Sequence, residues 1–128
     1  MNNISDNELA ELCSSNNLSF DALQETINLL GPRVSSQDPS CIHQACGNED
    51  ATLEIIQLLY KIFPGALRLR DDDDGDLPIH CLCLNKYLDD TNSLDILRFM
   101  LEIDPTLPRD VDDDGYLPIH YAVQYKST

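Results

Sequence analysis

Nine residues recur almost unchanged forty positions apart: Asp72-Asp73-Asp74-Gly75-Asp76-Leu77-Pro78-Ile79-His80 aligns without a gap on Asp112-Asp113-Asp114-Gly115-Tyr116-Leu117-Pro118-Ile119-His120. Only Asp76 and Tyr116 differ. A shorter relative, Cys41-Ile42-His43, precedes Pro78-Ile79-His80 by 37 residues. A chain that copies itself at this period consists of supersecondary units, none large enough to bury its own apolar side. Such units gain a continuous core only by stacking on their neighbours.

The segments between the copies have helical periodicity. Ile55, Leu59 and Ile62 fall at i, i+4 and i+7 and share one face, as do Ile96, Met100 and Ile103. Each run meets a proline, Pro64 or Pro105, which removes a backbone donor and restricts the residue before it, so both helices are predicted to stop there. Thr52 and Ser93 stand where an N-cap hydroxyl would receive free backbone N–H groups. The N-terminal third follows the same plan less closely, with Leu23, Ile27 and Leu30 as the apolar stripe and Gly31-Pro32 as the stop. Upstream, Ser5 and Glu8 have capping-box spacing, opening a short helix with Leu9, Leu12 and Cys13 apolar. Those three match Ile42, Ala45 and Cys46 in position, but Ala10 replaces the histidine. This pair is read as a degenerate first repeat that caps the stack.

The predicted fold is all-α: stacked helix-turn-helix units with extended Asp-Gly finger loops. Residues 1–128 form one domain, with a degenerate unit at 4–32, units at 39–64 and 77–105, and a partial unit at 117–128. The chain ends within or just after the short helix of that last unit, so the expectation is a piece of a longer array or an end covered by another chain.

Composition narrows the function. The 128 residues carry 8 Lys plus Arg against 23 Asp plus Glu, a net charge of −15, which disfavours nucleic-acid phosphates and anionic membranes as partners. No apolar run is long enough for a membrane span, and Met1 to Leu12 lack the basic-then-apolar layout of a secretory signal. The expected location is intracellular, in cytoplasm or nucleus. Five cysteines without a C-x-x-C pair then imply reduced thiols rather than a disulfide framework.

The order of short helix, longer helix and Asp-Gly finger, with Leu-Pro-Ile-His opening the short helix, resembles the ankyrin repeat, whose signature is Thr-Pro-Leu-His. The resemblance covers residues 38–125 well and the first 31 loosely. Pro78 and Pro118 suit a first helical turn, where a missing N–H costs nothing, and Gly75 and Gly115 suit a turn that needs positive φ. Two departures matter. The family's capping Thr is Leu at 77 and 117, which implies a weaker cap or a substitute for it. The connection Asn85–Asn92 also lengthens the middle unit. The resemblance implies a non-catalytic protein-protein interaction module that binds through its concave face of finger tips and short helices. The positions carried over are Asp73, Asp74, Asp76, Asn85, Asp113, Asp114, Tyr116, Gln124 and Tyr125. Tyr116 and Tyr125 are the expected sources of binding energy, being rigid aromatics.

Nine of the 23 acidic residues fall in the two fingers, Asp71–Asp74 with Asp76 and Asp110 with Asp112–Asp114. Their fields add over a Debye length of about 10 Å at 0.1 M salt, which points to a Lys/Arg-rich protein partner.

Three chemical readings compete with this one. Asp110, Asp112 and Asp114 occupy positions 1, 3 and 5 of an EF-hand-like loop, but position 12 is Tyr121, and in the other copy positions 1 and 12 are Arg70 and Cys81. Cys41, His43, Cys46, His80, Cys81 and Cys83 suggest zinc, yet Cys81 and Cys83 are two apart on a helix and diverge by about 200°. The three histidines recur at equivalent positions instead of converging, so they are read as structural, and no catalytic signature is present. No cofactor or metal is therefore expected. A divalent-cation-binding adaptor and the recognition arm of a larger enzyme are the alternatives.

Overall fold

The computed structural model describes residues 7–72 and 75–120. Among them the chain is all-helical, with six α-helices in three short-then-long pairs: α1 (Glu8–Cys13) and α2 (Phe20–Leu30), α3 (Cys41–Cys46) and α4 (Leu53–Ile62), α5 (Pro78–Leu84) and α6 (Asp90–Ile103). Each long helix is followed by a 3-10 turn, at Gly31–Ser36, Pro64–Arg68 and Leu107–Arg109.

Local chemistry sets most of these boundaries. Thr52 caps α4 by accepting the Ile55 N–H at 3.3 Å, and Ser19 caps α2 by accepting the Ala22 N–H at 3.1 Å. Gly31 ends α2 with φ of 56°, a conformation open to glycine without strain. The start of α6 differs from the sequence expectation. Ser93 lies inside the helix, and Asp89 is the cap, its carboxylate accepting the Asn92 N–H at 2.7 Å. An ionised acceptor at the positive end of the helix outcompetes a hydroxyl four residues later. Ser5 of the expected capping box lies outside the described residues. The α1 start is instead held from a distance: Gln37 Oε1 accepts the Leu9 N–H at 3.0 Å.

The helices form two layers. α1 packs on α3 and α3 on α5, while α2 packs on α4 and α4 on α6, and each short helix also contacts its own long helix. One core runs between the layers, through Leu9, Leu23, Ile42, Ile55, Ile56, Leu59, Ile79, Leu82, Ile96 and Met100. Each such side chain stabilises by about 1.5–3 kcal/mol relative to exposure. Ile62 and Ile103, at the ends of the predicted stripes, are only half-buried, and Ile56 takes the inner place instead. Cys13, Cys41, Cys46 and Cys83 are buried, Cys81 is half-buried, and all five are free thiols. Burial pushes the Cys46 thiol well up, with Cys81 and Cys83 adding to the effect, so it packs as a small apolar group. Outside the core, Arg68 reaches to the next loop, donating to Asp104 at 2.6 Å, to Asp110 at 2.5 Å and to Thr106.

Candidate functional site

The loops between the layers are joined by side chains that repeat in role. His43 Nε2 lies 2.7 Å from the Leu69 carbonyl and 3.2 Å from that of Asp76. His80 Nε2 lies 3.1 Å from the Tyr116 carbonyl. Asp76 and Tyr116 are equivalent positions, each just before Leu-Pro-Ile-His, so each histidine reaches from a short helix to the same point of the following finger. The other nitrogen caps the helix where leucine cannot: His80 Nδ1 accepts the Leu77 N–H at 3.1 Å, and His120 Nδ1 accepts the Leu117 N–H at 2.8 Å. Because Nδ1 of His80 accepts, its proton sits on Nε2 and is donated to Tyr116. In the first unit Ala10 cannot reach forward, and Gln37 reaches back to α1 instead.

A second set of links runs along the opposite ends of the short helices. Asn48 Nδ2 donates to the carbonyls of Cys13 and Ser15, both at 2.8 Å. Asn85 Nδ2 donates to the carbonyls of Cys46 and Asn48, both at 3.0 Å. Each asparagine thus satisfies the carbonyl of the last residue of the preceding short helix, Cys13 or Cys46, which has no partner within the helix, and also reaches a carbonyl in the turn that follows. Its own Oδ1 accepts a backbone N–H two residues on, from Asp50 at 2.8 Å and from Tyr87 at 3.2 Å.

The fingers close in unequal ways. Asp112 N–H donates to the Tyr116 carbonyl at 2.9 Å, and Asp112 Oδ1 accepts the Asp114 and Tyr116 N–H groups, both at 3.0 Å. In the preceding finger the same role falls to Asp71, whose N–H donates to the Asp76 carbonyl at 2.9 Å and whose Oδ1 accepts the Asp76 N–H at 3.3 Å. The gapless alignment pairs Asp112 with Asp72, whereas the hydrogen bonds pair it with Asp71.

Between fingers and short helices lies an open groove of about 840 Å³. Its walls are the loop residues Asp38 to Ser40 and Leu69 to Asp72, its floor is His43, Gln44, Gly47, Cys81 and Leu84, and its far rim is Ser14, Asn16, Asn48, Glu49, Asn85 and Tyr87. Tyr87 stands at the rim with 70% of its surface exposed, next to Leu88, which is buried and anchors the loop.

The residues expected to form the binding face divide around this groove. Asp73, Asp74, Gln124 and Tyr125 lie outside the described residues. Asp113, Asp114 and Tyr116 are exposed on the last described finger, where they do not line the groove. Asp76 is a correction: it is 4% exposed, folded inward where its finger closes. Asn85 is another, because it touches the groove while its amide is committed to the carbonyl ladder, leaving 5% of its surface exposed. Tyr87, Gln44 and Glu49 are absent from the sequence prediction. The signal for Tyr87 was its place in the lengthened connection after Asn85, where an aromatic has no core position to fill.

Two groups of side chains bring metal-ligand atoms within 4.8 Å of one another among the described residues: Asp76, His80 and Asp112, and Asp71, Asp76 and Cys81. In the first, both imidazole nitrogens already hold backbone hydrogen bonds, so a metal on either would displace one. That group is a joint between fingers. Burial holds the His80 pKa below its usual value, while the Tyr116 carbonyl and Asp112 act in the opposite direction. No helix among the described residues is long and apolar enough to cross a membrane. No family model, curated protein or solved structure matches this chain.

Proposed function

We propose that this chain is an ankyrin-type repeat solenoid that works as a non-catalytic protein-interaction module, docking a partner in the groove between its fingers and short helices. The groove with exposed Tyr87 at its rim carries the reading. The recurring histidine and asparagine links support it, because they fix finger and loop relative to the short helices and so present a preformed surface. A preformed surface loses little entropy when a partner docks. Histidines held in equivalent backbone joints are poorly placed to converge on a substrate, which favours binding over catalysis. Selection of peptides from a random display library against the wild-type protein tests this. Binders are expected whose affinity drops on Gln44→Trp, which adds bulk to the groove floor, and on Tyr87→Ala. Binders indifferent to both substitutions would overturn the assignment of the groove.

A divalent-cation adaptor is the second reading, favoured by one observation: Asp71, Asp76 and Cys81 offer two carboxylates and a sulfur within 4.8 Å, Asp71 and Cys81 lining the groove and Asp76 buried behind it, a donor set suited to zinc. Calorimetric titration with Zn²⁺ of the wild type and of Cys81→Ser separates the two. Heat that vanishes in the variant supports the adaptor, and no heat from the wild type removes it.

A further inference from the structure

We infer that the groove takes an arginine-bearing segment of a partner protein, a step that rests on the docking reading above. The charged side chains along the groove are Asp38, Glu49, Asp71, Asp72 and Arg70. Arg70 is held against the neighbouring finger, its Nη1 donating to the Gly75 carbonyl at 2.8 Å and the Val111 carbonyl at 2.6 Å, and its single positive charge offsets only one of the four carboxylates. The surface offered to a ligand is therefore acidic.

An independent observation points the same way. His43, 4% exposed, is part of the groove floor, and its Nε2 faces two carbonyls, which places a proton there and, in the neutral ring, leaves Nδ1 as an acceptor. That Nδ1 has no hydrogen-bond partner among the described residues. In the next two units the equivalent nitrogen receives a backbone N–H from Leu77 or Leu117. Here the corresponding N–H, that of Ser40, is taken by Asp38 Oδ1 at 3.0 Å. A buried acceptor without a donor is costly, so this floor favours a ligand that supplies one.

Carboxylates and an imidazole lone pair are acceptors, and the complementary ligand group is rich in donors and carries no acceptor. Guanidinium has five N–H donors in a planar fork, fits carboxylates in pairs and stacks on aromatic faces. Tyr87 supplies such a face. Its ring already attracts the Lys86 ammonium, 5.3 Å from the centroid, and its exposure leaves room for a guanidinium. Phosphates, acidic peptides and nucleic acids would instead place acceptors against acceptors.

The test is fluorescence anisotropy with a labelled octapeptide carrying two adjacent arginines in a Gly/Ser background. Its counterparts replace arginine with citrulline, which keeps the shape without the charge, or with lysine. Saturable binding of the arginine peptide is expected, weakened at least about tenfold by citrulline and less by lysine. Tyr87→Ala and the pair Glu49→Gln with Asp72→Asn, all at exposed positions, are each expected to weaken it several-fold with thermal unfolding unchanged. Equal binding of arginine and citrulline peptides, or binding untouched by these variants, overturns the inference. If library-selected peptides depend on Gln44 and Tyr87 yet the arginine octapeptide fails to bind, the docking reading stands and the arginine chemistry falls. If no groove-dependent peptide of any kind binds, both fall.

Discussion

The His80 imidazole and the Tyr116 carbonyl meet at 3.1 Å, joining α5 to the finger of the next unit while the other ring nitrogen holds the Leu77 N–H. One fully buried side chain thus replaces a helix cap and ties two units together. His80→Ala leaves the buried Leu77 N–H without its acceptor, takes one of two donors from the Tyr116 carbonyl and opens a void. The expected cost is about 2–4 kcal/mol, read from urea unfolding. A loss below about 0.5 kcal/mol, the level of a neutral surface change, would mean that the joint carries no stability.

The same residue gives the fold a pH dependence. Burial lowers the His80 pKa from its unfolded value of 6.5, so the folded state binds fewer protons than the unfolded chain. Its contribution is fully present above about pH 6.5 and is lost progressively as pH falls from there towards the lowered folded pKa. Carboxylates titrate in both proteins, so the comparison of interest is wild type against His80→Gln. The stability advantage of the wild type is expected to shrink between about pH 7.5 and pH 5.5. A constant difference would show that His80 does not change its proton uptake on folding.

Asn85 and Tyr87 separate stability from binding. Asn85→Ala removes donors to the carbonyls of Cys46 and Asn48 and the acceptor for the Tyr87 N–H. It is expected to cost about 2–3 kcal/mol. Tyr87→Ala removes an exposed ring and is expected to change stability by less than about 0.5 kcal/mol while weakening groove ligands. Urea unfolding of both variants, with peptide binding at a temperature where both are folded, checks the pair. A Tyr87→Ala protein as unstable as Asn85→Ala would place the ring in the structural framework.

Gly75 and Gly115 adopt φ of 67° and 82°, so alanine at either is expected to cost about 1–2 kcal/mol of backbone strain. They differ in surroundings. A Cβ at Gly75 would overlap the Asp113 carboxylate, whereas one at Gly115 meets nothing within 4 Å. Gly75→Ala should therefore lose more in chemical denaturation than Gly115→Ala, and adding Asp113→Ala should narrow the gap. If the two glycines are equally sensitive, the approach of Asp113 to the neighbouring finger contributes nothing.

The helix pairs were readable from the chain because their causes are local: apolar residues at i, i+4 and i+7, caps such as Thr52, prolines after the last turn. Where several cap-competent residues stood together, from Asp89 to Ser93, composition did not choose among them, and the helix began at the carboxylate. The expected binding residues fared less evenly. Tyr116, Asp113 and Asp114 are exposed, but Asp76 turned inward because its carbonyl and N–H close the finger onto Asp71.

By itself the sequence determined that this protein is built from helices with marked starts and stops, since those preferences act over a few residues. Only the tertiary structure decided which polar side chains became internal braces and which surface became a groove. Gln37 meets Leu9 across 28 residues, and Asn85 meets Cys46 across 39. Hydrogen bonds over such distances exist only after the helices have packed together, and the same packing leaves Tyr87 exposed beside a groove with four carboxylates.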